Sequence, residues 1–191
     1  MWLYEHIDET RKQLLSKNII DLSGDVDEDM AVYIRDALMI LTANDNPDIK
    51  VIITSSGGNV TVSLAIYDML KNYPGKKTGL VISFCRSMAV VILQACDERL
   101  ALPHSLVGVH NVLVDIEKLP SSLTFTRKKI LEFVEKVVKE ARSAQRIIEN
   151  IYRRRTGQPL KAIRRVSNKD YDMTAQEALK FGLIDGIVTA V

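Results

Sequence analysis

The chain has 191 residues, 47% hydrophobic and 26% charged, with 26 basic against 24 acidic side chains and a formal net charge of +2. That balance leaves no electrostatic footprint for nucleic acid or an anionic membrane, and a chain of this length buries about 70% of its unfolded surface without needing disulfides or a metal. No apolar run approaches the roughly 18 residues of a spanning helix, and Met1-Trp2-Leu3-Tyr4-Glu5-His6 lacks the basic and apolar regions of an export signal. One soluble cytoplasmic domain over residues 1–191 is therefore expected. Cys85 and Cys96 fall in apolar segments without CxxC spacing or histidine neighbours, which argues against a zinc site or a disulfide and suits a reducing compartment.

Ile19 to Leu22 reads as a short strand closed by Ser23-Gly24, after which Met30, Ile34, Ala37, Leu38 and Leu41 recur at helical spacing. The pattern repeats. Ile49 to Thr54 is a β-branched strand, Ser55-Ser56-Gly57-Gly58 a tight turn, and Leu64 to Leu70 a partly buried helix stopped by Pro74-Gly75. A third unit follows: strand Thr78 to Ile82, turn Ser83 to Arg86, and an almost uniformly apolar helix, Met88 to Cys96, that can only be buried. Strands Arg99 to Leu102 and Leu106 to His110 are separated at Pro103. Strand-turn-helix units with short connections require crossover helices and hence a largely parallel sheet, so the fold class is α/β.

A long helix is expected from about Ser122 to Arg155, with one apolar stripe running from Ile130 to Ile151. It is longer than a compact domain of this size can cover, so part of it should protrude and pack on another subunit. A shorter helix over Leu160 to Val166 follows the Thr156-Gly157-Gln158-Pro159 stop. Ser167 to Asp172 reads as a solvated loop, and Thr174-Ala175-Gln176-Glu177 as a capping box. A helix to Phe181, a Gly182 cap and a strand from Ile184 to Val188 complete the chain.

Three side chains could carry chemistry. Ser87 sits at a strand-to-helix turn, where a nucleophile and the unpaired first amides of the helix share one corner; the plainer account is a helix cap. His110 ends a strand at the sheet's C-terminal edge, where open α/β folds place ligands, and is better anchored than His6 or His104. Asp170 lies in the polar stretch before Thr174, with Asp172 an equal carboxylate on these grounds. Gly57-Gly58 permits close backbone approach but lacks the lysine and third glycine of phosphate-binding loops. The cations Arg153, Arg154, Arg155, Arg164 and Arg165 suit helix C-termini.

The order of these blocks resembles the proteolytic subunit of the Clp protease, a serine peptidase family with the ClpP/crotonase-like fold, over about Leu14 to Val188. Leu22 to Ala31 is similar to the family's first strand and turn, Ser55-Ser56-Gly57-Gly58 to its glycine turn, and Ala65-Ile66-Tyr67-Asp68 to the helix after it. Ser87-Met88 resembles the nucleophile and its successor, and Ala101-Leu102-Pro103-His104-Ser105 the approach to the catalytic histidine, matched by His110. Thr156 to Leu160, Met173 to Ala178 and Gly182-Leu183-Ile184-Asp185 are similar to the C-terminal blocks and bracket Asp170 at the family's aspartate.

The resemblance implies a catalytic triad of Ser87, His110 and Asp170, an oxyanion hole from the amides of Gly58 and Met88, and an extended substrate held near Gly57 and along Asn111 to about Glu117. It implies a homo-oligomeric ring, heptameric and single or stacked as a tetradecamer, cutting unfolded polypeptides fed by a Clp-type ATPase. No cofactor or metal is implied beyond the ATP used by that partner. There are departures: Arg86 puts a bulky cation beside Ser87 where the family has small residues, able to narrow the pocket or pair with a carboxylate. Ser56 replaces proline, Asn111 replaces glutamine, and the stretch from His110 to Gly157 is longer by roughly three helical turns. The segment before Leu14 is shorter than the family's axial loop, so weaker unfoldase docking is expected. The competing readings are a non-catalytic assembly subunit and a crotonase-like enzyme acting on an acyl-coenzyme A thioester.

Overall fold

The computed structural model describes residues 7–113 and 126–189. In chain order these form α1 (Glu9–Leu15), β1 (Ile19–Val26), α2 (Glu28–Ala43), β2 (Ile49–Gly58), α3 (Val60–Asn72), β3 (Lys77–Arg86), α4 (Met88–Leu93), β4 (Glu98–Ala101), β5 (Leu106–Val109), α5 (Arg127–Thr156), α6 (Leu160–Ser167), β6 (Tyr171–Thr174), α7 (Ala175–Phe181) and β7 (Gly186–Ile187). The fold is mixed α/β around a central sheet, as the alternation of strand and helix patterns predicts. The main path runs β1-β2-β3-β4-β7 with every pair parallel.

The sheet forks at β3, and the fork positions the site. The first part of β3, Thr78 to Val81, pairs with β4, whereas its end, Phe84 to Arg86, pairs with β5. β5 in turn carries β6 antiparallel. The expected turn over Ser83 to Arg86 is thus strand, because these residues find a second partner once β4 has turned away at Leu102. Two other expected turns are also strand. Ser23-Gly24 and Ser55 to Gly58 continue β1 and β2; the β1–β2 ladder shifts register between Ser23 and Asp25, and the β2–β3 ladder between Ile53 and Ser55. Of the solvated loop expected over Ser167 to Asp172, Ser167 closes α6 and Tyr171 and Asp172 begin β6, whose Met173 is buried against the core.

Local chemistry sets the helix ends. Asp27 accepts from the Met30 amide to start α2, Asn59 accepts from Thr61 and Val62 to start α3, and Thr174 and Glu177 form the predicted capping box of α7. α4 is shorter than expected, ending at Leu93, but each of its six residues is buried. A single apolar turn and a half would not be stable in water. Tertiary burial holds it, each Val, Ile or Leu side chain contributing roughly 1.5–3 kcal/mol.

α5 begins at Arg127, capped by Thr126; the expected start near Ser122 lies outside the described residues. Its 30 residues span about 45 Å. Only Ile148, Glu149, Ile151 and Tyr152 are buried; Leu131, Val134 and Val138 stand exposed on the part before them, and Ile147 is exposed beside buried Ile148. Among the described residues no helix is long and apolar enough to cross a membrane.

Candidate active site

Ser87 joins β3 to α4 with φ +53° and ψ −127°, a conformation costly for any residue with a side chain. Its amide donates to the Gly108 carbonyl at 2.8 Å, and its hydroxyl makes no capping bond to α4. The helix-cap account of this serine therefore fails: the chain holds a strained residue here, and its hydroxyl has no hydrogen-bond partner among the described residues. Strain of this kind persists only where surrounding contacts over-determine it. Gly57 supplies one such contact. A methyl at Gly57 would lie 2.7 Å from Ser87 Cβ and 2.9 Å from the Met88 amide nitrogen, so the tip of β2 rides directly on the Ser87 turn. Ser55 shapes that tip by accepting from the Gly57 amide at 3.0 Å.

Beside the turn lies a cavity of about 280 Å³ whose wall includes Gly58, Ser87, Met88, His110 and Asn111. Five of the seven residues named from sequence thus share one recess, and Gly57 abuts it. Met88 is the first residue of α4, so its amide has no intrahelical acceptor. Val60, Val91, Ile148 and Tyr152 make the rest of the wall largely apolar. Burial pushes up the pKa of the Tyr152 phenol, which stays neutral there. The nearby cysteines offer no competing nucleophile: both are fully buried, and burial raises the Cys85 thiol and takes Cys96 up to about 12.

His110 Nδ1 lies 2.6 Å from the Asn111 carbonyl oxygen. A carbonyl can only accept, so Nδ1 carries the proton and, in the neutral ring, Nε2 is the free base. The Asn111 carbonyl thereby sets the tautomer that a carboxylate would otherwise set. Asp170 is exposed, with φ +50°, and has no hydrogen-bond partner among the described residues. It does not line the cavity. Its place in the chain is nevertheless close: the β5–β6 ladder ends at the pair Val109 with Tyr171, and the next residues outward are His110 and Asp170. Ser87, His110 and Asp170 therefore sit at the ends of three adjacent strands, β3, β5 and β6.

Asp172, the equal carboxylate on sequence grounds, is occupied. Arg86 Nε donates to both of its oxygens, at 3.0 and 2.9 Å, and Arg86 Nη2 donates to Oδ2 at 2.7 Å. Of the two fates open to the Arg86 cation, it takes the carboxylate partner. Sequence reasoning did not single out Gln145. Its Oε1 accepts from the Val112 amide at 2.9 Å and its Nε2 donates to Asn111 Oδ1 at 3.2 Å, tying the segment after His110 to α5. Asn111 also donates to Asn168 at 2.7 Å. A glutamine on the polar flank of a long amphipathic helix carries no sequence signal for this role. The expected substrate segment beyond Leu113 lies outside the described residues. Among those residues, no group of three or more His, Cys, Asp and Glu side chains is placed to hold a metal.

One comparison bears on this arrangement: a family model described as Clp protease matches residues 4–191, nearly the whole chain and every element of the recess. The mixed sheet and the long α5 agree with that match, and the chain belongs to the Clp protease family.

Proposed function

We propose that this protein is a serine-type endopeptidase that hydrolyses peptide bonds of unfolded chains or short peptides within an oligomeric ring. The observation that carries the reading is the uncapped hydroxyl of the strained Ser87 in the same recess as His110, whose ring is fixed in the tautomer with Nε2 unprotonated. Ser87 Oγ attacks the scissile carbonyl carbon while His110 Nε2 takes its proton. The amides of Gly58 and Met88 hold the oxyanion, each donor worth about 3 to 4 kcal/mol. The C–N bond then breaks, the amine leaves with the proton from Nε2, and water attacks the acyl-serine by the same route to restore Ser87. Asp170, which precedes β6 as His110 follows β5, takes over Nδ1 from the Asn111 carbonyl and stabilises the imidazolium. The apolar walls of the recess suit an apolar substrate side chain, and backbone reading along the segment from Asn111 keeps specificity loose.

Assembly is supported by the exposed apolar residues of α5, Leu131 being about half exposed, which need a partner surface. A ring of this kind admits folded proteins only through a separate ATP-driven unfoldase, so the family membership favours a Clp-type ATPase as partner. One contact favours the rival reading, a subunit that assembles without hydrolysing: Nδ1 of His110 faces a carbonyl rather than a carboxylate. Labelling with a fluorophosphonate decides between them. Wild-type protein is expected to label and Ser87→Ala to remain unlabelled, with His110→Ala and Asp170→Asn losing most hydrolysis of a short fluorogenic peptide. An unlabelled wild type supports the rival, and undiminished hydrolysis by Asp170→Asn removes that residue from the mechanism.

A further inference from the structure

Three segments must be held in register for Ser87, His110 and Asp170 to meet, and one ion pair touches all three. Arg86 is paired with Gly108 in the β3–β5 ladder, and Gly108 with Asp172 in the β5–β6 ladder, so the three form one row across the sheet. Arg86 immediately precedes Ser87, Gly108 lies two residues before His110, and Asp172 lies two residues after Asp170. We propose that the Arg86–Asp172 pair is a positioning clamp: it bridges β3 to β6 over Gly108 and fixes the ends of three strands at the spacing that hydrolysis requires. The proposal rests on the reading of Ser87 and His110 as the reacting pair.

The geometry is that of a bridge. Two inter-strand spacings of about 4.8 Å each separate the outer strands, and only a long side chain spans that distance. The middle position must then be bare. A methyl at Gly108 would run into the Asp172 carboxylate and lie 3.0 Å from Arg86 Cγ, so glycine is what lets the two side chains meet above β5. Phe84, two residues back on the same face of β3, supports the guanidinium from one side with its ring centroid 4.9 Å from Arg86 Cζ. The forked, three-bond contact fixes orientation as well as distance, which a lysine could not do.

β6 needs such a brace. It has four residues, and among the described residues it pairs with β5 alone. Without the bridge, the strand leading out of Asp170 is tied to the Ser87 strand only through four-residue β5. The side chains of Arg86 and Asp172 are about one-third exposed, and pairs in that setting add little to global stability. The clamp's effect is therefore on position, which separates it from an ordinary structural ion pair.

A double-mutant cycle with Arg86→Ala and Asp172→Ala tests the clamp, with Arg86→Lys and Gly108→Ala as companions. Four quantities are read: kcat and KM on a short fluorogenic peptide, the fluorophosphonate acylation rate, the melting temperature and the oligomer mass. Each single variant is expected to lose about 10²-fold in kcat and acylation rate, the cost of roughly 1 Å of misplacement, with KM within about twofold and an unchanged mass. Melting temperatures should fall by less than about 4 °C. The double variant should lose no more than either single one, because the two residues act as a unit. Arg86→Lys should not restore the rate, and Gly108→Ala, which keeps both charges, should lose as much as the alanine variants.

Wild-type rates in both single variants, losses that multiply in the double variant, or losses that track melting temperature or oligomer mass would overturn the clamp while leaving the peptidase reading intact. A wild-type protein that neither labels nor cleaves would overturn that reading, and the clamp with it.

Discussion

Replacing Gly57 by alanine probes how closely the tip of β2 rides on the Ser87 turn. The residue has φ +92°, and a methyl there meets Ser87 Cβ at 2.7 Å and both the Arg86 carbonyl oxygen and the Met88 nitrogen at 2.9 Å. Left-handed backbone costs a residue with a Cβ about 1–2 kcal/mol, and overpacking adds roughly 1–3 kcal/mol more. The turn must open by roughly 0.7 Å to bring the nearest contact to an ordinary 3.4 Å, and misplacement approaching 1 Å at reacting groups costs about 10²-fold in rate. Gly157→Ala is the matched control: it also has positive φ, +69°, but nothing lies within 4 Å of the added methyl. Peptide hydrolysis and thermal melting of the two variants separate strain from displacement. Gly157→Ala should lose about 2–8 °C in Tm and keep wild-type kcat, whereas Gly57→Ala should lose roughly 4–20 °C and about 10²-fold in kcat. A Gly57→Ala protein with wild-type kcat and no larger Tm loss than Gly157→Ala would refute the packing of β2 against the nucleophile turn.

Arg99 is buried and is held by Asp185, Gln94 and the Gly182 carbonyl, so Asp185→Ala strands a cation between β4 and the C-terminal segment. It should cost about 3–5 kcal/mol in urea denaturation, and a loss under about 1 kcal/mol would contradict the assignment. Arg164 hydrogen bonds hold the Glu149 carboxyl below its ordinary 4.5, against an opposing push from burial. Burial also pushes Asp97 and Asp185 up, but Lys77 and Arg99 outweigh it and hold both below 3.8. A carboxyl depressed in the folded state contributes stability that is present above its unfolded value and lost as pH falls through its folded value. Tm should therefore fall as pH drops below about 4.5, with Glu149→Gln flattening part of that limb; a wild-type Tm constant from pH 7 to 3 would rule the pairs out as its source. Light scattering at micromolar concentration should find a multi-subunit particle that Leu131→Glu with Val134→Glu shrinks, and a monomeric wild type would overturn the ring.

Much of this architecture can be read from hydropathy spacing alone. The alternation of β-branched runs with helical stripes places β1 to β3 and α2 to α4 in order, and Thr174 with Glu177 marks the start of α7, because these patterns are set by neighbours within one turn or one strand. Ser87, His110 and the Gly57-Gly58 tip were legible as candidates for the same reason: each stands where a strand ends. Strand extents were not legible. Ser83 to Arg86 and Tyr171 to Thr174 are polar or mixed, and β5, distant in sequence, supplies partners to both, with β2 also pairing at Cys85.

The tertiary structure also decided which of two nearby carboxylates answers the Arg86 cation. Asp170 and Asp172 are equivalent in composition, but the β5–β6 ladder puts Asp172 in line with Arg86 across Gly108 and leaves Asp170 just beyond its last pair, Val109 with Tyr171. Nor could the sequence show that the Asn111 carbonyl fixes the His110 tautomer, since a backbone oxygen is the same at every residue. Local sequence determines which elements form, because propensity and periodicity act over a few residues. The meeting of Arg86 from β3 with Asp172 from β6 depends on how distant strands align, and that alignment exists only once the sheet has forked at β3.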